Sequence, residues 1–295
     1  MALVEIDDVS KTYSSDKIAL NGVSIDINRS EFVVIAGPNG AGKTTLMKLI
    51  YGELSPDRGK IRLNVPVGKI GVMPQEFTLF EELTSEEHIS YLTQLKGIPK
   101  QRSLEITRGI IKKLGLEQEK DRIVRYLSGG QKKLVCFGQA LAGDNEILIL
   151  DEPTAGIDVE NRNALHTYLD ELRKLGTTIL YTTHFLDEIE SWASRLVMLN
   201  KGSIIYDGSP NSMVESLYHS KVEIPHTVRT LNFVKNTGLI YTVSDSEIII
   251  FIRKSEISRI REIIDCGIPE VQEGLKITRP TLEEGYLSFL KKIKK

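Results

Sequence analysis

This chain has little cysteine, a single tryptophan, no marked excess of either charge and no long hydrophobic run. Its two cysteines, Cys136 and Cys266, have the spacing of neither a metal site nor a disulfide framework. Both read as packing residues in a reducing, cytosolic setting. The net charge of −2 gives no support to a broad basic surface, so nucleic acid is not expected as a partner. The longest apolar stretch, around Ile248-Ile249-Ile250-Phe251-Ile252, falls far below the ~20 residues that a membrane-spanning helix requires. Any membrane role must therefore come through a partner. The opening Met1-Ala2-Leu3-Val4-Glu5-Ile6-Asp7-Asp8 lacks the basic and apolar regions of a secretory signal, and none is expected.

What is present is more telling. Gly37-Pro38-Asn39-Gly40-Ala41-Gly42-Lys43-Thr44 matches G-x-x-x-x-G-K-[ST], followed by Thr45, the pattern of a loop that cradles phosphates. Residues 31–36 read as a buried strand and 45–50 as a helix, which is the context that the loop needs. Glycines let backbone N–H groups turn towards phosphate oxygens, and the helix points its positive end at the same spot. Lys43 is placed to neutralise the β- and γ-phosphates and Thr44 to hold Mg²⁺. A bare glycine-rich turn would lack these flanks, so the stretch is read as a nucleoside triphosphate site.

The 295 residues allow one large or two ordinary domains. Alternating segments at 3–6 and 23–27 predict strands with one wet face, and 60–63 another short strand. From 84 to about 125 the texture becomes helical. Thr84-Ser85-Glu86-Glu87 is a capping-box signature, with Ile89, Leu92 and Leu95 placed on one face. The apolar runs 147–150 and 177–182 predict buried parallel strands. A helix over 159–175 lies between them, with Leu165, Leu169 and Leu172 facing the core and Gly176 as its stop. Residues 197–207 predict a hairpin turning at Asn200-Lys201-Gly202. Beyond about residue 220 the reading is strand 221–224, helix 228–235, strands 239–244 and 247–253, helix 256–266 and strand 270–278. That order is β-α-β-β-α-β, the split βαβ arrangement. Thr281-Leu282-Glu283-Glu284 then caps a final helix.

Two more motifs carry chemistry. Asp151-Glu152 ends the strand at 147–150. A carboxylate at that strand end can reach the Mg²⁺ held by Thr44, and Glu152 can accept a proton from an attacking water. Leu127-Ser128-Gly129-Gly130-Gln131 opens a helix and offers N–H groups and a helix dipole to an anion. Alone it would be an ordinary helix N-terminus.

Together, residues 37–45, 127–131 and 147–154 resemble the nucleotide-binding cassette of ABC ATPases over about residues 1–215. The resemblance implies an α/β P-loop NTPase fold with a parallel core sheet, an N-terminal antiparallel β subdomain and a helical insert at about 76–140. A small α+β accessory domain at 220–295, a βαββαβ unit, would follow. It also implies roles. Tyr13 resembles the aromatic that stacks on adenine, and Gln75 the glutamine that touches Mg²⁺ and the attacking water. Ala155-Gly156-Ile157-Asp158 resembles the loop that crosses the dimer interface, and His184 the switch histidine at the γ-phosphate. Lys133 and Gln139 stand where relatives often carry Arg, whose planar fork Lys lacks.

The implied activity is ATP hydrolysis, with ATP and Mg²⁺ bound between two cassettes of a homodimer. Each site would join residues 37–45 of one copy to Ser128 and Gly130 of the other. The apolar residues Phe77, Leu79, Phe80 and Leu83 beside Gln75 would receive a short helix of a polytopic membrane subunit. This would hold the chain at the cytoplasmic face of the membrane. Thr278-Arg279-Pro280-Thr281-Leu282-Glu283-Glu284-Gly285-Tyr286-Leu287 resembles the tail of drug, antibiotic and lipid-linked exporter ATPases. The terminal Lys291-Lys292-Ile293-Lys294-Lys295 reads as a solvated tail. The rival reading is a soluble mechanical or regulatory ATPase of the same superfamily, but the chain has one cassette and no sustained heptads.

Overall fold

The computed structural model describes residues 2–14, 17–76, 78–184, 186 and 192–293. Phe77, Lys294 and Lys295, which figured in the sequence reading, lie outside them. The chain divides into two compact units, the first running to His184 and resuming up to Asp207, the second from Gly208 onward.

In chain order, the first unit contains β1 (Val4–Thr12), β2 (Ile18–Ile27), β3 (Phe32–Ala36), α1 (Lys43–Ile50), β4 (Arg58–Leu63) and β5 (Ile70–Met73). Next come α2 (Ser85–Leu95), α3 (Lys100–Lys113), α4 (Gly129–Leu141) and β6 (Ile147–Asp151). Then follow α5 (Val159–Lys174), β7 (Thr178–Thr183), β8 (Arg195–Asn200) and β9 (Ser203–Gly208), whose last residue lies across the boundary.

A six-stranded sheet has the order β5-β6-β7-β3-β8-β9, and its pairings from β5 through β8 are parallel. Strands β3, β6 and β7 are buried at every position, as strands covered on both faces must be, hence the apolar texture of β3 and of β6 up to Asp151, and the apolar centre Ile179-Leu180-Tyr181 of β7 between threonines. A second, antiparallel sheet has the order β2-β1-β4. Its alternation buries Val4, Ile6, Val9, Val23, Ile25 and Ile27 in one core with Val33, Ile35, Leu46 and Met47. The structure thus joins a parallel core sheet to an antiparallel β layer and a helical segment.

The helical segment begins at the expected capping box: Glu87 N donates to Thr84 Oγ1 at 3.2 Å, and Thr84 N to Glu87 Oε2 at 2.9 Å. Its buried stripe differs from the expected one. His88, Ile89 and Thr93 turn inward, whereas Leu95 is 65% exposed. On α5, Leu165 and Leu169 are buried and Leu172 half-buried.

The second unit holds α6 (Pro210–Leu217), β10 (Ser220–Pro225), α7 (Val228–Thr237), β11 (Ile240–Val243) and β12 (Glu247–Ile252). It ends with α8 (Ser258–Ile264), α9 (Pro269–Gly274), β13 (Lys276–Thr278) and α10 (Leu282–Ile293). Its sheet order is β11-β12-β10-β13, with every pairing antiparallel. β12 therefore lies between β10 and β11, as in a split βαβ fold. Val222, Ile224, Val234, Ile248, Ile250 and Ile263 form its core. One expectation fails: 270–278 is no continuous strand, because Pro269 opens a helix and only Lys276–Thr278 pairs with β10. Proline suits the first helical turn and cannot donate to a ladder.

Candidate functional site

The carboxyl ends of β3, β5, β6 and β7 lie at one edge of the parallel sheet, where ligands of open α/β sheets gather. From β3 the chain turns through residues 37–42 into α1. Gly42 caps that helix at φ +108°, and a Cβ there would stand 2.4 Å from the Ala19 carbonyl oxygen. Only glycine fits both demands. The first N–H groups of α1 have no intrahelical acceptor, as at any helix start. Lys43 is 6% exposed, and its Nζ donates to the carbonyls of Gly37 at 2.8 Å and Pro38 at 3.4 Å. Burial pulls its pKa down, while the nearby carboxylates of Glu152 and Asp151 oppose that shift.

Asp151, the last residue of β6, is buried and pairs in register with Thr182 on β7. Burial pushes its carboxyl above the ordinary range, and the charge of Glu152 adds to the rise. Hydrogen bonds from Thr182 and Thr44, and the charge of Lys43, act against it. Thr44 Oγ1 also lies 3.2 Å from Gln75 Oε1, just past the end of β5. A hydroxyl, an amide oxygen and a carboxylate thus converge, an oxygen donor set that suits a hard cation such as Mg²⁺ completed by phosphate oxygens. Among the described residues there is no cluster of three or more His, Cys, Asp or Glu that could hold a metal.

Glu152 follows with φ +49°, a left-handed conformation uncommon for a side chain of this kind. Its Oε1 stands 3.5 Å from His184 Nδ1, beyond the end of β7. A cavity of about 280 Å³ is lined by Tyr13, Lys17 and Ala19 on one side and by residues 39–45, Gln75 and Glu152 on the other. The Tyr13 hydroxyl lies 3.2 Å from Thr45 Oγ1, and the residue is 40% exposed.

The turn at 127–131 is not part of this cavity's lining. Ser128 caps α4 in a second capping box, accepting from Gln131 N at 3.2 Å, and Gln131 also donates to Glu119. Asp158 is exposed and caps α5, accepting from Asn161 N at 3.0 Å. Those hydrogen bonds hold its carboxyl below the usual range. Lys133 Nζ donates to the Ala155 carbonyl at 2.7 Å, tying α4 to the loop after Glu152. Of the apolar residues beside Gln75, Leu79 is buried and Leu83 half-buried. Phe80 is 50% exposed, with its ring against His88 and Tyr91.

Sequence reasoning missed Lys17, Ala19, Thr182 and a buried polar chain in which the Tyr181 hydroxyl meets Thr154 Oγ1 and His166 Nε2. None belongs to a glycine or carboxylate motif, and threonine in a strand reads as an ordinary β-branched residue.

A family model described as "ABC transporter" matches residues 20–155. The Nod factor export ATP-binding protein I of Burkholderia orbicola (strain AU 1054) is 35% identical over 225 residues, covering 73% of this chain and 74% of that protein. The phospholipid-transporting ATPase ABCA3 of Rattus norvegicus is 34% identical over 218 residues, covering 70% of this chain and 13% of that one. Among solved structures, cbiO1 from Clostridium perfringens, described as part of the ABC transporter complex cbiONQ, has a TM-score of 0.63 and 30% identity. The alignment covers 72% of this chain and 90% of that one. The ATP-binding cassette MJ0796, in a dimeric post-hydrolysis state bound to ADP and Pi, has a TM-score of 0.65 and 26% identity, covering 70% and 98%.

Proposed function

The chain belongs to the ABC transporter family as an ATP-binding, ATP-hydrolysing cassette, and from that premise we propose that it is the motor subunit of an exporter. One observation carries the site assignment: Thr44, Gln75, Asp151, Glu152 and His184 converge from four strand ends beside a glycine loop and a buried lysine. In this reading Tyr13 stacks on the base, and residues 37–45 hold the phosphates. Thr44, Gln75 and Asp151 would hold Mg²⁺, which when bound neutralises phosphate charge. Glu152 orients the attacking water and takes its proton, and His184 and Lys43 stabilise the charge on the transferring phosphoryl group.

Because the 127–131 turn stands apart from the chain's own cavity, the reading assigns Leu127, Ser128, Gly129, Gly130 and Gln131 to the ATP of a second copy. Asp158 then lies on the loop between the copies. The dimeric MJ0796 cassette supports that pairing. No helix among the described residues is long and apolar enough to cross a membrane, so the path for cargo is assigned to a separate polytopic subunit. The chain would bind its cytoplasmic face, with Phe80 in the docking surface. The Nod factor export protein among its relatives supports outward transport.

Steady-state hydrolysis by the purified chain tests the reading. Glu152→Gln should lower kcat by roughly 10²–10⁴-fold, the usual contribution of a general base, while ATP binding persists. With MgATP the same variant should scatter light as a dimer. Parent-rate turnover removes Glu152 from the catalytic role. A persistent monomer, even with the membrane subunit supplied, removes the shared-site arrangement.

A further inference from the structure

We propose that Thr182 is a positioning residue for ATP hydrolysis: its buried hydroxyl couples the two adjacent acidic residues, donating to the Asp151 carboxylate while accepting the Glu152 backbone N–H. The inference rests on the roles given above to Asp151 and Glu152. Thr182 is fully buried on β7 and lies directly across from Asp151 in the parallel ladder. Its Oγ1 donates to Asp151 Oδ1, and Glu152 N donates to that same Oγ1 at 2.8 Å. A hydroxyl has one proton and two acceptor sites, so both capacities are used in one chain, and each bond polarises the other.

The geometry gives that chain a purpose. Glu152 holds a left-handed backbone at φ +49°. A residue with a long side chain keeps such a conformation only where its surroundings over-determine it. The bond from its N–H to Thr182 is one such constraint, fixing the turn that sends the Glu152 carboxylate towards His184. The other bond fixes which oxygen of Asp151 remains available on the Thr44 side. Valine has nearly the same shape and suits a buried strand equally well. Packing alone therefore gives no reason for a hydroxyl here, where burying one without partners is costly.

The test compares the full chain carrying Thr182→Val, Thr182→Ser or no substitution. For Thr182→Val, kcat should fall about tenfold or more, in line with losing a buried hydrogen bond to a charged group, while KM for ATP stays near the parent value. The Mg²⁺ concentration for half-maximal rate should rise. Binding of a fluorescent ATP analogue in chelator, which needs no metal, should be unchanged. Thr182→Ser keeps the hydroxyl and should recover most of kcat. A Thr182→Val enzyme with parent kcat overturns the inference. So does a serine variant as slow as the valine one, or a loss that metal-free ATP binding and melting temperature follow in proportion, which marks general disruption. A parent chain that fails to hydrolyse ATP removes the functional reading itself.

Discussion

Replacing Tyr181 by phenylalanine deletes one oxygen atom at the centre of the first unit's buried polar chain. Tyr181 is fully buried on β7. Its hydroxyl lies 2.9 Å from Thr154 Oγ1, in the loop after Glu152, and 3.0 Å from His166 Nε2 on α5. His166 and Thr154 are themselves buried, so water has little access to whichever group is orphaned. Phenylalanine keeps the ring and its edge contact with Phe32 at 5.9 Å between centroids, so the packing loss is small. Each orphaned buried polar group costs about 1–3 kcal/mol, which puts the pair at about 2–6 kcal/mol. In a unit of this size each kcal/mol lowers Tm by about 2–4 °C, so a fall of at least roughly 4 °C is expected. The assay is built into the molecule. Trp192 is the sole tryptophan, belongs to the first unit, and its ring lies 5.9 Å from that of His166. Its fluorescence in urea therefore reports this unit by itself, which matters because a chain of two units need not unfold in one step. If Tyr181→Phe leaves the Trp192 midpoint and slope where the parent has them, the polar chain contributes nothing to stability and the reasoning fails.

The phosphate loop was legible because its chemistry demands rare residues at fixed spacing: glycines, among them Gly42 where a Cβ would strike Ala19, and a lysine at the helix start. The strands β3, β6 and β7 were legible because burial on both faces leaves apolar runs, in β7 the stretch Ile179-Leu180-Tyr181. Thr182 was not legible, since a strand threonine looks the same whether its hydroxyl meets nothing or holds two acidic residues. His166 and Tyr181 lie fifteen positions apart, and only the packing of α5 on β7 makes them neighbours. Local periodicity carries no record of such a meeting. The misread segment at 270–278 failed differently. Pro269 was a usable signal for a helix start, but alternating apolar positions after it imitated a strand. Helical period puts Leu95 on one face with Ile89 and Leu92, yet the buried stripe of α2 runs through His88, Ile89 and Thr93 and leaves Leu95 exposed. That polar face, with His88 hydrogen-bonded to Gln139 and Ser90 to Ser103, is invisible to a count of hydrophobic residues.

Two further predictions concern the same unit. Gly42→Ala must place a Cβ 2.4 Å from a backbone oxygen at φ +108°. Either strain or a displaced loop should weaken ATP binding by about tenfold or more, and titration calorimetry at parent affinity would contradict the close approach. The second follows from His166, whose pKa burial lowers from 6.5 to about 4, with the charge of Arg162 adding to the shift. In the unfolded chain the same imidazole keeps its ordinary value and takes up a proton as pH falls below about 6.5. The folded state refuses that proton until about pH 4. The unfolded state thus binds more protons across this window, so stability must fall as pH drops through it and hold level for this group above it. A shift of that size corresponds to roughly 3 kcal/mol. His166→Gln removes the titration while keeping a side-chain amide near Tyr181, and should start less stable at pH 7 but lose less between pH 6.5 and 4. Urea midpoints followed at Trp192 across that range give both curves. If they run parallel, acid sensitivity lies elsewhere in the unit and His166 is not the group refusing the proton.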